Sequence, residues 1–236
     1  MYIRPAQQLR SLLLSILLLS PVTFADTIAI IGTGSVAGAL GPEFAALGHD
    51  VVYGSRDPAR DDVQALVERT GGNARATLPA DSVNGADIVV LAVPGGLAAS
   101  ITASLGDLND KIIIDPTNHI VRDEDGMPDV GSETSNAELI QAEAPGAHVV
   151  KAFNTLNWRT MVDPDSSGGP VTIPLVGDSA DAKVRVAELV EGMGLEAIDL
   201  GPLRYARHVE GMLILWINAR NAGEYFDYHL RRRPGG

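Results

Sequence analysis

Cysteine is absent from the 236 residues. Disulfides, thiolate metal sites and cysteine nucleophiles are excluded together, and thiol usage says nothing about the redox compartment. Aromatic residues are scarce, at 5%, so the core must be built mostly from Val, Ile, Leu and Ala. Positive charge is also short. Lys and Arg total 18 against 30 Asp and Glu, for a net charge of −12. Nucleic acid and anionic membrane surfaces are poor partners for such a chain. No apolar run approaches the ~20 residues of a membrane-spanning helix. Internal repeats and low-complexity tracts are missing too. What is present, 45% apolar residues at this length, fits one α/β domain with a small appendage.

Residues 1–25 have the layout of a secretory signal. Arg4 and Arg10 supply the positive start, and 12–19 (LLLSILLL) is a short apolar stretch. Thr23-Phe24-Ala25 places small residues at −3 and −1 of a cut after Ala25. An uncleaved anchor is the alternative. No integral membrane span is expected in the mature chain.

From there strand and helix patterns alternate. Apolar, β-branched runs at 27–31, 50–53, 87–93, 112–115, 149–153, 171–176 and 196–200 read as strands, several buried on both faces. Helical spacing marks 36–47, 64–69, 97–105, 136–143, 180–193 and a last helix over 204–222. The polar stretch 122–134 reads as a surface loop, and the basic tail 231–233 as solvated and frayed. The alternation asks for a Rossmann-type, doubly wound, mainly parallel sheet with helices on both faces and a short C-terminal helical appendage. The division expected is a signal peptide over 1–25, a nucleotide-binding domain over 26–200, and a helix and tail over 201–236 covering a cleft.

The strongest chemical signal is Gly32-Thr33-Gly34-Ser35-Val36-Ala37. Alone, a G-x-G-x-x-A pattern is weak. Here it leaves the first buried strand and opens a helix, the context in which its glycines have work to do. Gly32 permits the tight turn, and Gly34 lets a pyrophosphate approach the backbone. The helix then offers free N–H groups and the positive end of its dipole. The second strand ends Val52-Tyr53-Gly54-Ser55-Arg56, without the carboxylate that would hold the ribose hydroxyls of NAD. Ser55 and Arg56 suit a 2′-phosphate instead, with Arg60 one turn further on, so NADP(H) is favoured.

With these residues in place, the chain resembles the NADPH-dependent reductases of the deazaflavin coenzyme F420 and the related cytosolic domain of the STEAP metalloreductases. The matching stretches include IAIIGTGSVAGALG (28–41), ALGHDVVYGSRDP (46–58), DIVVLAVP (87–94), IIIDPTN (112–118), VVKAFNT (149–155) and IDLGPLRYARHVEGMLILWI (198–217). The resemblance implies that Thr33, Ser35 and Val36 lie in the phosphate turn and that Ser55 and Arg56 hold the 2′-phosphate. Arg60 falls at a second basic position. It also implies that Ala92, Val93 and Pro94 pass under the adenosine and nicotinamide riboses, and that Lys151 to Asn154 end beside the nicotinamide. The acceptor does not transfer with it.

On the acceptor side, Asn154 is a candidate partner for the nicotinamide amide or an acceptor carbonyl. Lys151 offers either electrostatic help near the nicotinamide or a buried salt bridge. His119 is a candidate acceptor contact. Asp123-Glu124-Asp125-Gly126 lacks the ligand spacing of a calcium loop, and no metal site is expected. On the last helix Val209, Met212, Leu213, Trp216 and Ile217 form a stripe that should be mostly core, with part left for a homodimer surface or an acceptor roof.

The leading expectation is an enzyme that passes hydride between NADP(H) and a small planar acceptor, a deazaflavin or flavin. A flavin-mediated ferric or cupric reductase, or an exported nucleotide-binding protein without catalysis, are the competitors. A periplasmic location conflicts with NADPH use, and a cytoplasmic one is the alternative.

Overall fold

The computed structural model describes residues 25–130 and 134–233. Arg4, Arg10, the apolar stretch 12–19, Thr23 and Phe24 lie outside the described residues. The chain runs β1 (Thr27–Ile31), α1 (Ser35–Ala46), β2 (Asp50–Gly54), α2 (Asp61–Thr70), β3 (Arg75–Thr77), α3 (Pro79–Ser82) and β4 (Ile88–Leu91). It continues through α4 (Ala98–Ala103), β5 (Ile112–Asp115), β6 (Ile120–Arg122), β7 (Pro128–Val130), α5 (Asn136–Glu143) and β8 (His148–Lys151). It closes with α6 (Trp158–Val162), β9 (Thr172–Gly177), α7 (Ala180–Gly192), β10 (Glu196–Asp199) and α8 (Ala206–Asn221).

Eight strands form one sheet in the order β10-β9-β8-β5-β4-β1-β2-β3. β1 lies between β2 and β4 and is parallel to both. The chain therefore winds outward from β1 in one direction, then returns to β1's other side and winds the opposite way. β9 runs antiparallel to β8, and β10 runs parallel to β9. This is the doubly wound Rossmann-type sheet the alternation calls for.

Two cores explain why the central strands are apolar at every position. Ile28 and Ile30 point into a cluster with Leu40, Phe44, Leu66, Val186 and Leu189. Ala29 and Ile31 point the other way, to Val83, Ala98, Ile140, Leu203 and Val209. Helices thus cover both faces of the sheet.

Four elements depart from the sequence pattern. β3 is short, half-exposed and carries Arg75, so alternation gives no signal there. Residues 122–134 do not form only a loop. β6 and β7 pair antiparallel, and the Asp123 carboxylate accepts from the N–H groups of Asp125 and Met127 to close the turn. α6 is a five-residue helix capped by the Asn157 side chain. The tail is not frayed at Arg231 and Arg232. The Arg231 guanidinium pairs with Glu196, and Arg232 donates to the Ala197 carbonyl. Just before them, Tyr228 O accepts from Thr172 N and Leu230 N donates to Thr172 Oγ1.

The last helix also differs from expectation. Of its apolar stripe only Val209 is buried, while Met212, Leu213, Trp216 and Ile217 are half-buried and Leu215 is 64% exposed. α8 is buried at Ala206, Val209 and Glu210, and no residue beyond them in the helix is buried.

Candidate nucleotide and acceptor site

The sheet reverses its winding between β1 and β4, which opens a crevice at their C-terminal ends. Gly32 leaves β1 there with φ +109°, and its N–H donates to Gly54 O. A Cβ at Gly32 would stand 2.3 Å from the Ala92 carbonyl oxygen and 3.7 Å from Val93. Only glycine fits between these two turns. Ala92 and Val93 therefore flank the glycine turn directly, with Pro94 next in the chain.

Gly34 is different in kind. Its φ of −84° suits any residue, and a Cβ there would meet no atom within 4 Å. Gly34 is the N-cap of α1, and no side chain caps the helix. α5, α6 and α7 are capped by Ser135, Asn157 and Ser179, whereas α2, α3, α4 and α8 share the uncapped start of α1, which alone has glycine at its N-cap. The first N–H groups of α1 are thus left to something other than a capping side chain, at the positive end of the dipole. A cradle that a Cβ would fill, over an uncapped helix start, fits a pyrophosphate.

At the tip of β2, Ser55 is buried. Its hydroxyl donates to Asp57 O and accepts from Asp57 N, shaping the turn. Arg56 is exposed, and no carboxylate among the described residues holds its guanidinium. Arg60 is engaged locally: its guanidinium forks onto the Asp62 carboxylate, with Nη2 to Oδ2 at 2.9 Å. The second basic position is thereby committed to the start of α2, leaving Arg56 as the free cation of this turn.

The C-terminal edge of β5 and β8 carries a polar cluster. Lys151 Nζ reaches Asp115 Oδ2 at 2.7 Å and Glu210 Oε1 at 2.6 Å, and also donates to the Thr117 carbonyl. All three charged side chains are buried. Asp115 Oδ1 accepts from Thr117 N and Oγ1, and Glu210 Oε1 accepts from Asn136 N. Of the two roles open to Lys151 from sequence, the buried salt bridge is the arrangement present. It ties β5, β8 and α8 together.

Beyond Lys151 the chain turns sharply. Phe153 has φ +62°, a conformation that costs a non-glycine residue about 1–3 kcal/mol. Asn154 follows. Its Nδ2 donates to Asn118 Oδ1 at 2.9 Å and to Val209 O at 3.1 Å, while Asn118 Nδ2 donates to Asn154 O. Buried Asn154 Oδ1, Thr155 Oγ1 and His119 Nδ1 have no hydrogen-bond partner. His119 and Asn154 thus share one edge, and Lys151 supports it from below.

Asp115, Asn118, Asn136, Thr155 and Glu210 are the members that sequence reasoning passed over. Glu210 had a signal: a lone acid inside the apolar stripe of α8. Thr155 had none. A separate cavity of about 620 Å³ lies between the α6 region and the end of α8, lined in part by Arg159, Trp216, Arg220, Phe226 and His229. It contains none of the acceptor-side candidates.

Residues 27–119 match the family model described as NADP oxidoreductase, coenzyme F420-dependent. The chain is 32% identical to the F420-dependent NADP reductase of Methanothermobacter thermautotrophicus, over 83% of this chain and 92% of that protein. It is 30% identical to the metalloreductase STEAP3 of Rattus norvegicus over 80% of this chain, but spans only 36% of that protein. Among solved structures, a candidate F420-dependent NADP reductase from Arthrobacter sp. FB24 superposes with a TM-score of 0.79 at 33% identity, covering 87% of this chain and 99% of that one. A crevice at the switch point, an uncapped helix behind a glycine turn and near-complete coverage of an F420-dependent relative agree: the chain belongs to the coenzyme F420-dependent NADP oxidoreductase family and is an NADP(H)-dependent oxidoreductase.

Proposed function

We propose that the chain holds NADPH along the β1–β4 crevice and passes a hydride to a planar deazaflavin or flavin. Bound NADPH supplies the hydride, and the residues bind, orient and cover. The N–H groups at the start of α1, from Ser35 and Val36, take the pyrophosphate over Gly34, with Thr33 beside it. Arg56 takes the 2′-phosphate on the turn that Ser55 shapes. Ala92, Val93 and Pro94 line the ribose path. Asn154 and His119 face the reacting rings, with the first turns of α8 as a roof. Transfer between two flat rings needs alignment more than a strong acid or base, and the cluster supplies rigidity. The uncapped start of α1 over an open Gly34 carries this reading. A deazaflavin is favoured as the acceptor because the matching family model and a relative 32% identical to the chain are both described as F420-dependent.

The test is isotopic. With 4-deuterated NADPH, label is expected in the reduced deazaflavin. Label found only in water, or no reduction of any flavin-like acceptor, overturns direct transfer.

Arg56→Ala is expected to weaken NADPH binding ten- to a hundredfold, the loss of a charge-assisted phosphate contact of roughly 1.5–3 kcal/mol, with NADH binding little changed. Titration calorimetry with both nucleotides checks this, and equal losses for the two would refute the assignment.

Two further proposals rest on sequence pattern and exposure. Residues 1–25 read as an export signal cut after Ala25, which would give a periplasmic protein, while the NADPH reading favours the cytoplasmic alternative with the segment retained; the mass of the mature N-terminus decides between them. The half-buried Met212 to Ile217 segment, with Leu215 64% exposed, is covered by a second copy of the chain. Sedimentation of the wild type against Leu215→Glu tests that.

A further inference from the structure

Two stability costs coincide just past β8. Phe153 is held at φ +62° while fully packed, and the next two residues each bury a polar side-chain atom without a partner. Buried polar atoms are nearly always paired, so each orphan calls for an explanation. Their orientation is not arbitrary. Asn118 Nδ2 faces the Asn154 carbonyl, which turns Asn118 Oδ1 toward Asn154 Nδ2. Asn154 Nδ2 also meets the Val209 carbonyl. Two acceptors therefore demand the amide nitrogen, and Oδ1 must point the other way as an unused acceptor. On the next residue, the buried Thr155 hydroxyl is likewise unused, as donor and as acceptor. The strained turn at Phe153 leads directly into these two residues, and strain of this sort gathers where a ligand is held.

Resting on the nucleotide reading above, we infer that Thr155 and Asn154 Oδ1 form a two-point subsite for a planar group carrying an N–H beside a C=O. Asn154 Oδ1 accepts from the N–H, and the Thr155 hydroxyl donates to the carbonyl. Two sources offer that chemistry: the carboxamide of the nicotinamide and the imide edge of a deazaflavin or flavin ring. Thr155 is then a specificity-determining residue, and its hydroxyl serves binding rather than folding. Replacing a buried hydroxyl that has no partner with a similarly shaped apolar group is neutral or stabilising, whereas a hydroxyl used by the fold is missed.

The experiment uses the full chain as wild type and as two variants of one position, Thr155→Val and Thr155→Ser. Thr155→Val should melt at the wild-type temperature or above. If the carboxamide is the occupant, NADP⁺ binds three- to tenfold more weakly to Thr155→Val, the loss of one neutral hydrogen bond. The affinity for 2′,5′-ADP, which lacks the nicotinamide, is then unchanged. If the imide edge is the occupant, NADP⁺ affinity holds and the KM for the deazaflavin rises by the same factor. Thr155→Ser restores whichever constant moved. A clear fall in melting temperature for Thr155→Val, or a folded variant in which no constant moves, overturns the inference while leaving the nucleotide reading intact. A wild-type protein that binds neither NADP⁺ nor 2′,5′-ADP sinks both.

Discussion

Lys151→Met should destabilise the fold by about 3–5 kcal/mol, the usual result of removing one partner from a buried ionic cluster. The cation sits 2.7 Å from Asp115 and 2.6 Å from Glu210, with all three side chains sealed from solvent. Methionine fills the space but leaves two carboxylates sharing a dry site without their cation. Glu210→Gln should cost much less. It keeps an oxygen to accept from Asn136 N, and it leaves Lys151 and Asp115 as a one-to-one pair. Urea titrations at matched m-values would show the ranking. Equal losses for the two variants would mean that the cluster's net charge is not what the fold responds to.

Gly34→Val should lower NADPH affinity by a hundredfold or more while the protein melts close to the wild-type temperature. Two facts separate binding from folding at this position. The backbone there is extended, with φ −84°, and the added side chain would touch nothing in the protein. It would instead occupy the approach to the first N–H groups of α1. Loss of two charge-assisted hydrogen bonds, each roughly 1.5–3 kcal/mol, gives that factor. Gly32→Ala is the contrasting variant. It meets the Ala92 carbonyl at 2.3 Å with φ +109°, so it should lose stability before it loses affinity. A folded Gly34→Val that still binds NADPH normally would place the pyrophosphate elsewhere.

The parts legible in the sequence were those where one residue type does one physical job. Four apolar residues after Thr27, running into Gly32, mark a strand buried on both faces and stopped by a turn, and β1 is that strand. The missing carboxylate after β2 was equally plain. What escaped was written in short or distributed signals. β3 has three residues and one is an arginine. The β6–β7 hairpin depends on Asp123 accepting from two backbone N–H groups, and a run of acids gives no periodicity. Lys151 stood out as one of three lysines, but its partners are far away in the chain. Only folding brings Asp115 and Glu210 to it. The apolar stripe of α8 misled because helical spacing reports amphipathicity, not what covers the face. After Glu210 no residue of the helix is buried, and most of the stripe is only half-buried.

The placing of Glu210 also fixes an order of assembly on the ribosome. Chains emerge N-terminus first, at about 5–20 residues per second. The residues of β1, α1, β2, β4 and β5, and with them the glycine turn, are all made by residue 115, although the two cores that back β1 still await Ile140, Val186, Leu189, Leu203 and Val209. The acceptor edge is completed later. Asn136 N waits for Glu210, 74 positions later, and Asn154 waits for the Val209 carbonyl, 55 positions later. The end of the chain then docks on Thr172 through Tyr228 and Leu230. A nascent chain would therefore contain every residue of the glycine turn well before it contains those that complete the polar edge past β8.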